Sequence, residues 1–317
     1  MHEHFAHADQ VYASAQSAAA KSPIAASWRR CMTMYHLVPE ERRLPVRLTE
    51  QEFRSAREQS GRLVAEAAEE LDRLFSIVGK AGCCLLLTDR KGIALERRGT
   101  PGDDKDFHAL GLWTGAVWTE ASIGTNGIGT ALAEERAVAI VRDQHFFSSN
   151  INLSCTTAPI RDHRGRLAGA LDVSTCREDA DDATLAILSQ TVREAALRIE
   201  LNIFRSAFTG ARFLMVPTDA GMTPALLAVD RSDIVLGATR AARLALKLDD
   251  RRIATGIPAS DALQESLPGG GEDLLDVERA ALLRALSRTG GNVSRAATAL
   301  GMSRATLHRK IKKFGLH

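Results

Sequence analysis

The sequence has no run approaching the roughly 18 consecutive apolar residues of a membrane-spanning helix, so no span is expected in its 317 residues. The opening MHEHFAHADQ lacks a basic region followed by an apolar core, which argues against a secretory signal and for a cytoplasmic protein. Cysteine is sparse and scattered. Cys31, Cys83, Cys84, Cys155 and Cys176 are odd in number and form no C-x-x-C, so neither a disulfide framework nor a zinc site is expected. His2, His4 and His7 read as a frayed, solvated terminus rather than as metal ligands. No cofactor and no metal is expected.

A phosphate-cradling loop is missing too. The pattern G-x-x-x-x-G-K-[ST] is not met at Gly79-Lys80, which Ala81 follows and whose first glycine position is Leu74. This absence bears on SAFTGA, Ser206 to Ala211. That stretch resembles, at all but one residue, the GAFTGA loop of the AAA+ ATPases that remodel bacterial RNA polymerase bound to its alternative sigma factor. Only about 60 residues separate it from the C-terminal helices, too few for a nucleotide-hydrolysing domain of typical size. It directly follows the helical pattern DATLAILSQTVREAALRIELNIF and reads as the end of that helix.

Net charge is only +2, but it is unevenly spread: Arg279 to His317 holds nine Lys or Arg and no Asp or Glu, leaving residues 1–278 at −7. An acidic body with a basic tail points to a polyanion, of which nucleic acid is the commonest. Hydrophobic periodicity in the tail predicts three helices. Leu275, Leu282 and Leu286 share one face of the first, which stops at Gly290-Gly291. Asn292 caps the second, with Val293, Ala296, Ala297 and Leu300 on its buried side; Gly301 supplies a left-handed turn. Ser303 caps the third, whose Leu307, Ile311 and Phe314 form a stripe opposite Arg304, Arg309, Lys310 and Lys313. Small Ala297 permits the close approach of a helix-turn-helix, and the third helix is short enough for a major groove.

GGNVSRAATALGMSRATLHRKIKKFG resembles the Fis-type helix-turn-helix that ends many bacterial activators. The resemblance implies base contacts by Ser303, Arg304 and Arg309. It implies phosphate contacts by Thr306, Lys312 and Lys313, with Asn292, Ser294 and Arg295 from the preceding helix.

Upstream, CCLLLT, the turn DRKG and IALE predict a hairpin, and SCTTAPIRD, HRGR and LAGALDVST a second. GTNGIGTALAEER is a glycine-rich turn leading into a helix, and AVAIV is strand-like. Long helices over Thr49–Lys80 and Asp181–Phe204 flank the set, and their segregation from the strands gives an α+β class. ASWRRC with HLVPEER, WTEASIGTNGIGTAL, DQHFF and CTTAPIRDHRGRLAGALDVS resemble the GAF sensor of transcriptional regulators of the acetoin and glycerol metabolism type. In that family an AAA+ motor separates the sensor from the Fis-type helices. Trp113 and Trp118 either line a ligand cavity or fill a core. His145 and Cys155 are read as packing and shaping a pocket rather than as a dyad, and Asn126 is a further polar group for the same pocket. ALLAVDRSDIVLGATRAARLALKL predicts strand, turn, strand and helix, resembling the start of a PAS domain except that Thr239 stands where Asn is preferred.

The expected organisation is an N-terminal helical segment (1–48), a GAF-like sensor (49–206), a PAS-like connector (212–266), a linker (267–273) and the helix-turn-helix (274–317). The function expected is that of a homodimeric transcriptional regulator without ATPase activity. It would bind double-stranded operator DNA, sense an unidentified small molecule and contact RNA polymerase. One alternative is an accessory or antagonist of a full-length AAA+ paralogue. Another is a cysteine-dependent methionine sulfoxide reductase using Cys83, Cys84 and Cys155.

Overall fold

The computed structural model describes residues 2–16, 22–177, 181–218, 223–264, 281–283, 285–286 and 289–315. They fall into two compact units, Met1–Ala259 and Ser260–His317.

Five antiparallel strands form the centre of the first unit. In chain order they are β2 (Cys83–Asp89), β3 (Ala94–Arg98), β5 (Val138–Val141), β6 (Ser154–Arg161) and β7 (Leu167–Thr175), arranged β3-β2-β7-β6-β5. A short pair, β1 (Val46–Arg47) with β4 (Ala116–Val117), lies outside that sheet. The two predicted hairpins turn in the same way. Asp89 Oδ1 accepts from the amides of Lys91 and Ile93, and Asp162 Oδ1 from those of Arg164 and Arg166. Gly92 and Gly165 then take φ of +77° each, which favours glycine.

The apolar run in β2 does not alternate because both faces of the sheet are covered. Leu85 and Leu87 join Ala158, Ile160, Leu171 and Val173 against α4 (Gly61–Val78) and α8 (Asp182–Ala207). Cys84 and Leu86 face a second apolar layer built with α5 (Asp104–Ala109), α6 (Glu120–Ile123) and α7 (Gly127–Glu134). The helix expected over Thr49–Lys80 is two. Ser60 closes α3 (Glu50–Gln59) at φ −96°, ψ 14°, and α4 starts at Gly61. Serine and glycine are weak helix formers, and in sequence they interrupt an otherwise continuous pattern.

SAFTGA is where α8 ends: the helix stops at Ala207, and Phe208 stacks on Phe204 with ring centroids 5.0 Å apart. The next strand, β8 (Arg212–Met215), was not legible beforehand, being four mostly exposed residues. It pairs with β9 (Leu226–Val229), which pairs with β10 (Val235–Ala238), and Thr239 caps α9 (Arg240–Ala245).

The second unit has one small core of Leu282, Ala285, Ala296, Ala297 and Leu307, with Leu286, Val293, Leu300, Ile311 and Phe314 partly buried against it. Leu275 and the linker 267–273 lie outside the described residues.

Candidate nucleic-acid interface and sensor core

In the second unit, helices Val293–Ala299 and Arg304–Lys313 are joined through Gly301 at φ +65°. Ala296 and Ala297 are buried where the helices meet, so the small residues do what close packing demands. Both N-caps are those read from the sequence. Asn292 Oδ1 accepts from the Arg295 amide at 3.1 Å, and Ser303 Oγ accepts from the Thr306 amide at 3.1 Å and pairs with the Thr306 hydroxyl at 2.8 Å. The hydroxyls of Ser303 and Thr306 are therefore engaged locally. On the helix that buries Leu307, Arg304, Arg309, Lys312 and Lys313 are exposed, the last three on the side away from Leu307, and Ser294 and Arg295 are exposed on the preceding helix. Lys310 is half-buried, and the Lys313 ammonium lies 5.3 Å from the Phe314 ring centroid. Ala305 and His308 are exposed as well and were not singled out by sequence reasoning. At 100° per residue both sit beside Arg304 and Arg309, so helical projection alone would have found them.

In the first unit, the N-terminal segment packs into the sensor. α1 (His2–Gln16) carries His7, which is buried rather than solvated as expected. Its Nε2–H donates to the carbonyls of Asp143 and His145, leaving Nδ1 to accept from the Ser148 hydroxyl at 3.0 Å. α2 (Pro23–Thr33) brings ASWRRC to WTEASIGTNGIGTAL. Ser27 Oγ donates to Glu120 Oε1 at 2.5 Å, and Arg30 grips Glu120 with two nitrogens at 2.8 and 2.9 Å and Glu134 with a third at 2.7 Å. Glu120 is only 3% exposed, so this bidentate pair is charge-assisted and largely shielded from water. Trp28 and Cys31 join Phe146 and Phe147 of DQHFF in one apolar cluster.

Of the expected pocket residues, Trp118, Asn126, His145 and Cys155 are buried and Trp113 is half-buried. Trp118 and Cys155 share the apolar layer beneath α6 and α7, with the Trp118 indole donating to the Gly111 carbonyl. Asn126 spends its amide on capping α7: Oδ1 accepts from Gly129 and Nδ2 donates to Gly124, both at 2.8 Å. His145 lies 3.5 Å from Cys155 Sγ. Its Nδ1 faces the Arg142 carbonyl at 3.0 Å and must carry the proton, so the Cys155 thiol donates to Nε2. Trp113 stands apart, under Arg97, whose guanidinium carbon is 4.2 Å from the ring centroid, and edge-to-face with His108.

Beside Cys155 is a carboxyl that sequence reasoning passed over. Asp172 is 1% exposed on β7 and accepts from the hydroxyls of Thr157 at 2.5 Å and Ser174 at 2.6 Å. Burial pushes it up to about 6. An acid inside the apolar run LAGALDVST was the available signal. Gly127 makes the approach possible, since a Cβ there would fall 2.4 Å from Thr157 Oγ1 and 2.8 Å from Asp172 Oδ1. Burial likewise pushes the Cys155 thiol well up and pulls His145 down to about 4. The pair is therefore thiol and neutral imidazole, not thiolate and imidazolium.

A family model described as the GAF domain matches residues 62–199, and one described as bacterial regulatory protein, Fis family, matches 274–314. The chain joins a GAF domain to a Fis-type helix-turn-helix. It is 32% identical over 225 residues to the acetoin catabolism regulatory protein of Cupriavidus necator, covering 70% of this chain and 34% of that one. It is 31% identical over 151 residues to an acetoin dehydrogenase operon transcriptional activator of Bacillus subtilis, covering 48% and 25%. The PTS-dependent dihydroxyacetone kinase operon regulatory protein of Escherichia coli is a further homologue. The chain thus spans about a third or less of the length of these relatives. Its fold is similar to that of the Escherichia coli DhaR(N)–DhaL complex, at 23% identity and a TM-score of 0.50, covering 75% of this chain and 80% of that one. The chain carries the two modules these models describe and is homologous to regulators of acetoin and dihydroxyacetone operons. No helix among the described residues is long and apolar enough to cross a membrane.

Proposed function

We propose that the protein is a cytoplasmic, homodimeric regulator that binds operator DNA through its Fis-type helices, answers to a small molecule through its GAF domain, and hydrolyses no ATP. The observation that carries the proposal is the third helix: Arg304, Arg309, Lys312 and Lys313 are exposed on a helix that buries Leu307. Arg304 and Arg309 read bases, where a guanidinium serves guanine bidentately, and Ser303 assists from the cap. Thr306, Lys310, Lys312, Lys313, Asn292, Ser294 and Arg295 hold phosphates, which position without specifying. One such helix makes few contacts. A two-fold dimer places two of them about 34 Å apart on a palindrome.

Effector sensing belongs to the layer around Trp118, Asn126, His145 and Cys155, with Trp113 at its edge. Apolar walls with a few convergent polar groups suit a small organic ligand. The absence of ATPase activity rests on the missing phosphate loop and on what stands between the two family matches. The described residues between the matches, 200–218 and 223–264, hold the end of α8, three short strands and short helices. RNA polymerase is then contacted without a motor.

A second reading is favoured by a GAF match and a Fis-type match separated on this chain only by residues 200–273: it competes for the operator of a full-length paralogue. Cysteine-dependent sulfoxide reduction is disfavoured because Cys83 and Cys84 face opposite sides of the sheet and burial pushes them up to about 11 and 12.

Footprinting on the DNA upstream of the gene, with candidate metabolites and without ATP, tests the proposal. It predicts a protected palindrome whose occupancy a metabolite changes. No protection, or protection only with ATP, would contradict it.

A further inference from the structure

At the end of the sheet where β2 begins and β7 ends lies a cleft of about 620 Å³, with Phe75, Lys80, Asp103, Asp106, Phe107 and Arg177 in its walls. Small-molecule pockets run from about 300 to 1,000 Å³. Two bare backbone positions shape it. A Cβ on Gly79 would fall 2.8 Å from the Phe75 ring, and one on Gly82, at φ +68°, 2.8 Å from Arg177 Cδ. Glycine at both therefore lets the ring and the guanidinium stem lie against the backbone.

The charges divide by element: the Arg177 stem lies against Gly82, two residues after Lys80, while Asp103 and Asp106 belong to the start of α5. Among the described residues, Lys80, Asp103 and Asp106 make no side-chain hydrogen bond or ion pair, although arginines across this unit are paired with carboxylates. Phe107 is 2% exposed and belongs to the apolar layer that holds Trp118 and Cys155, and Cys176, also in the wall, packs against that layer. An occupant of the cleft therefore touches the layer assigned to sensing.

We propose that this cleft binds a small zwitterion with an apolar body, of which an aromatic amino acid is the simplest example. Its carboxylate faces Lys80 and Arg177, its ammonium faces Asp103 and Asp106, and its body lies against Phe75 and Phe107. This names the effector class of the GAF domain and so rests on that domain's being a sensor.

Calorimetry on the full chain tests it with L-phenylalanine, 3-phenylpropionate and phenethylamine, which separate the two charges. L-phenylalanine saturates one site per chain, and each analogue binds more weakly, by up to about fivefold, the upper scale of one exposed charge contact. Lys80→Ala narrows the gap between L-phenylalanine and phenethylamine, and Asp106→Ala the gap to 3-phenylpropionate. Both side chains are exposed, so the fold is not at stake. Ser76→Trp, which fills the cleft from an exposed position on α4, abolishes binding with the melting temperature unchanged. No saturable binding of L-phenylalanine, equal binding of all three compounds, or binding that survives Ser76→Trp overturns the proposal. If L-phenylalanine binds but leaves operator affinity unchanged, the cleft stands and sensing falls. If another metabolite shifts operator affinity while L-phenylalanine does not bind, sensing stands and the cleft assignment falls.

Discussion

In the GAF unit the polar groups that organise the site are sealed in: Glu120 under Arg30, Asp172 under Thr157 and Ser174, His145 against Cys155. In the helix-turn-helix the corresponding groups are outside, and the inside is a thin apolar layer centred on Leu307. The difference teaches where each unit is vulnerable. A buried polar group costs stability when its partner is lost, because its desolvation is no longer compensated. An exposed cation costs affinity for its ligand and leaves the fold alone.

The largest effect should come from the thin core. Leu307→Ala removes a fully buried side chain and should cost the second unit about 2–5 kcal/mol. By circular dichroism and calorimetry, DNA binding should disappear while the transition of the GAF unit stays. Loss of both transitions together would show that the units do not fold separately. Next is Arg30→Ala, which strands the buried Glu120 carboxylate. Because Arg30 is itself 26% exposed, the cost to the GAF unit should be nearer about 2–3 kcal/mol than the upper range for such pairs. Urea unfolding measures it, and operator affinity should not change.

A subtler break in the comparison is pH. Asp172 is raised from 3.8 to about 6, so between about pH 4 and 6 the folded chain holds a proton that the unfolded chain has released. Stability from this group therefore falls as pH rises through that window. His145, lowered from 6.5 to about 4, has the opposite sign, its contribution being lost as pH falls from 6.5. Melting curves across pH 4–7 should show Asp172→Asn gaining stability relative to the wild type as pH rises from about 4 to 6, and no such change in the helix-turn-helix transition. The smallest effect is Lys312→Ala, which should weaken all DNA sequences alike and reduce the salt slope by about one.

The contrast between the units also explains what could be read in advance. Caps, stripe and charged face of the helix-turn-helix follow from residues three and four apart, so Asn292, Ser303, Leu307 and Arg309 were all legible. The hairpins were legible because Asp89 and Asp162 carry their turns locally. Interior assignments were harder, since nothing local says that Ser27 and Arg30 meet Glu120 some ninety residues on, or that His7 is buried beneath the loop around His145. Asp172 was visible as an acid in an apolar strand, but its partner Thr157 lies on the neighbouring strand and only the register joins them. The break at Ser60 is a local signal, a Ser-Gly pair within a longer helical period.

The central claim, that an exposed helix face reads operator sequence without a nucleotide-driven motor, is tested most directly by one titration. Wild type and Arg304→Ala are each measured against the footprinted operator and a random duplex of equal length, without ATP. Wild type should prefer the operator, and Arg304→Ala should lose about 1–3 kcal/mol of that preference while its affinity for random DNA changes little. Equal weakening on both duplexes, or a preference that emerges only when ATP is added, would contradict the account.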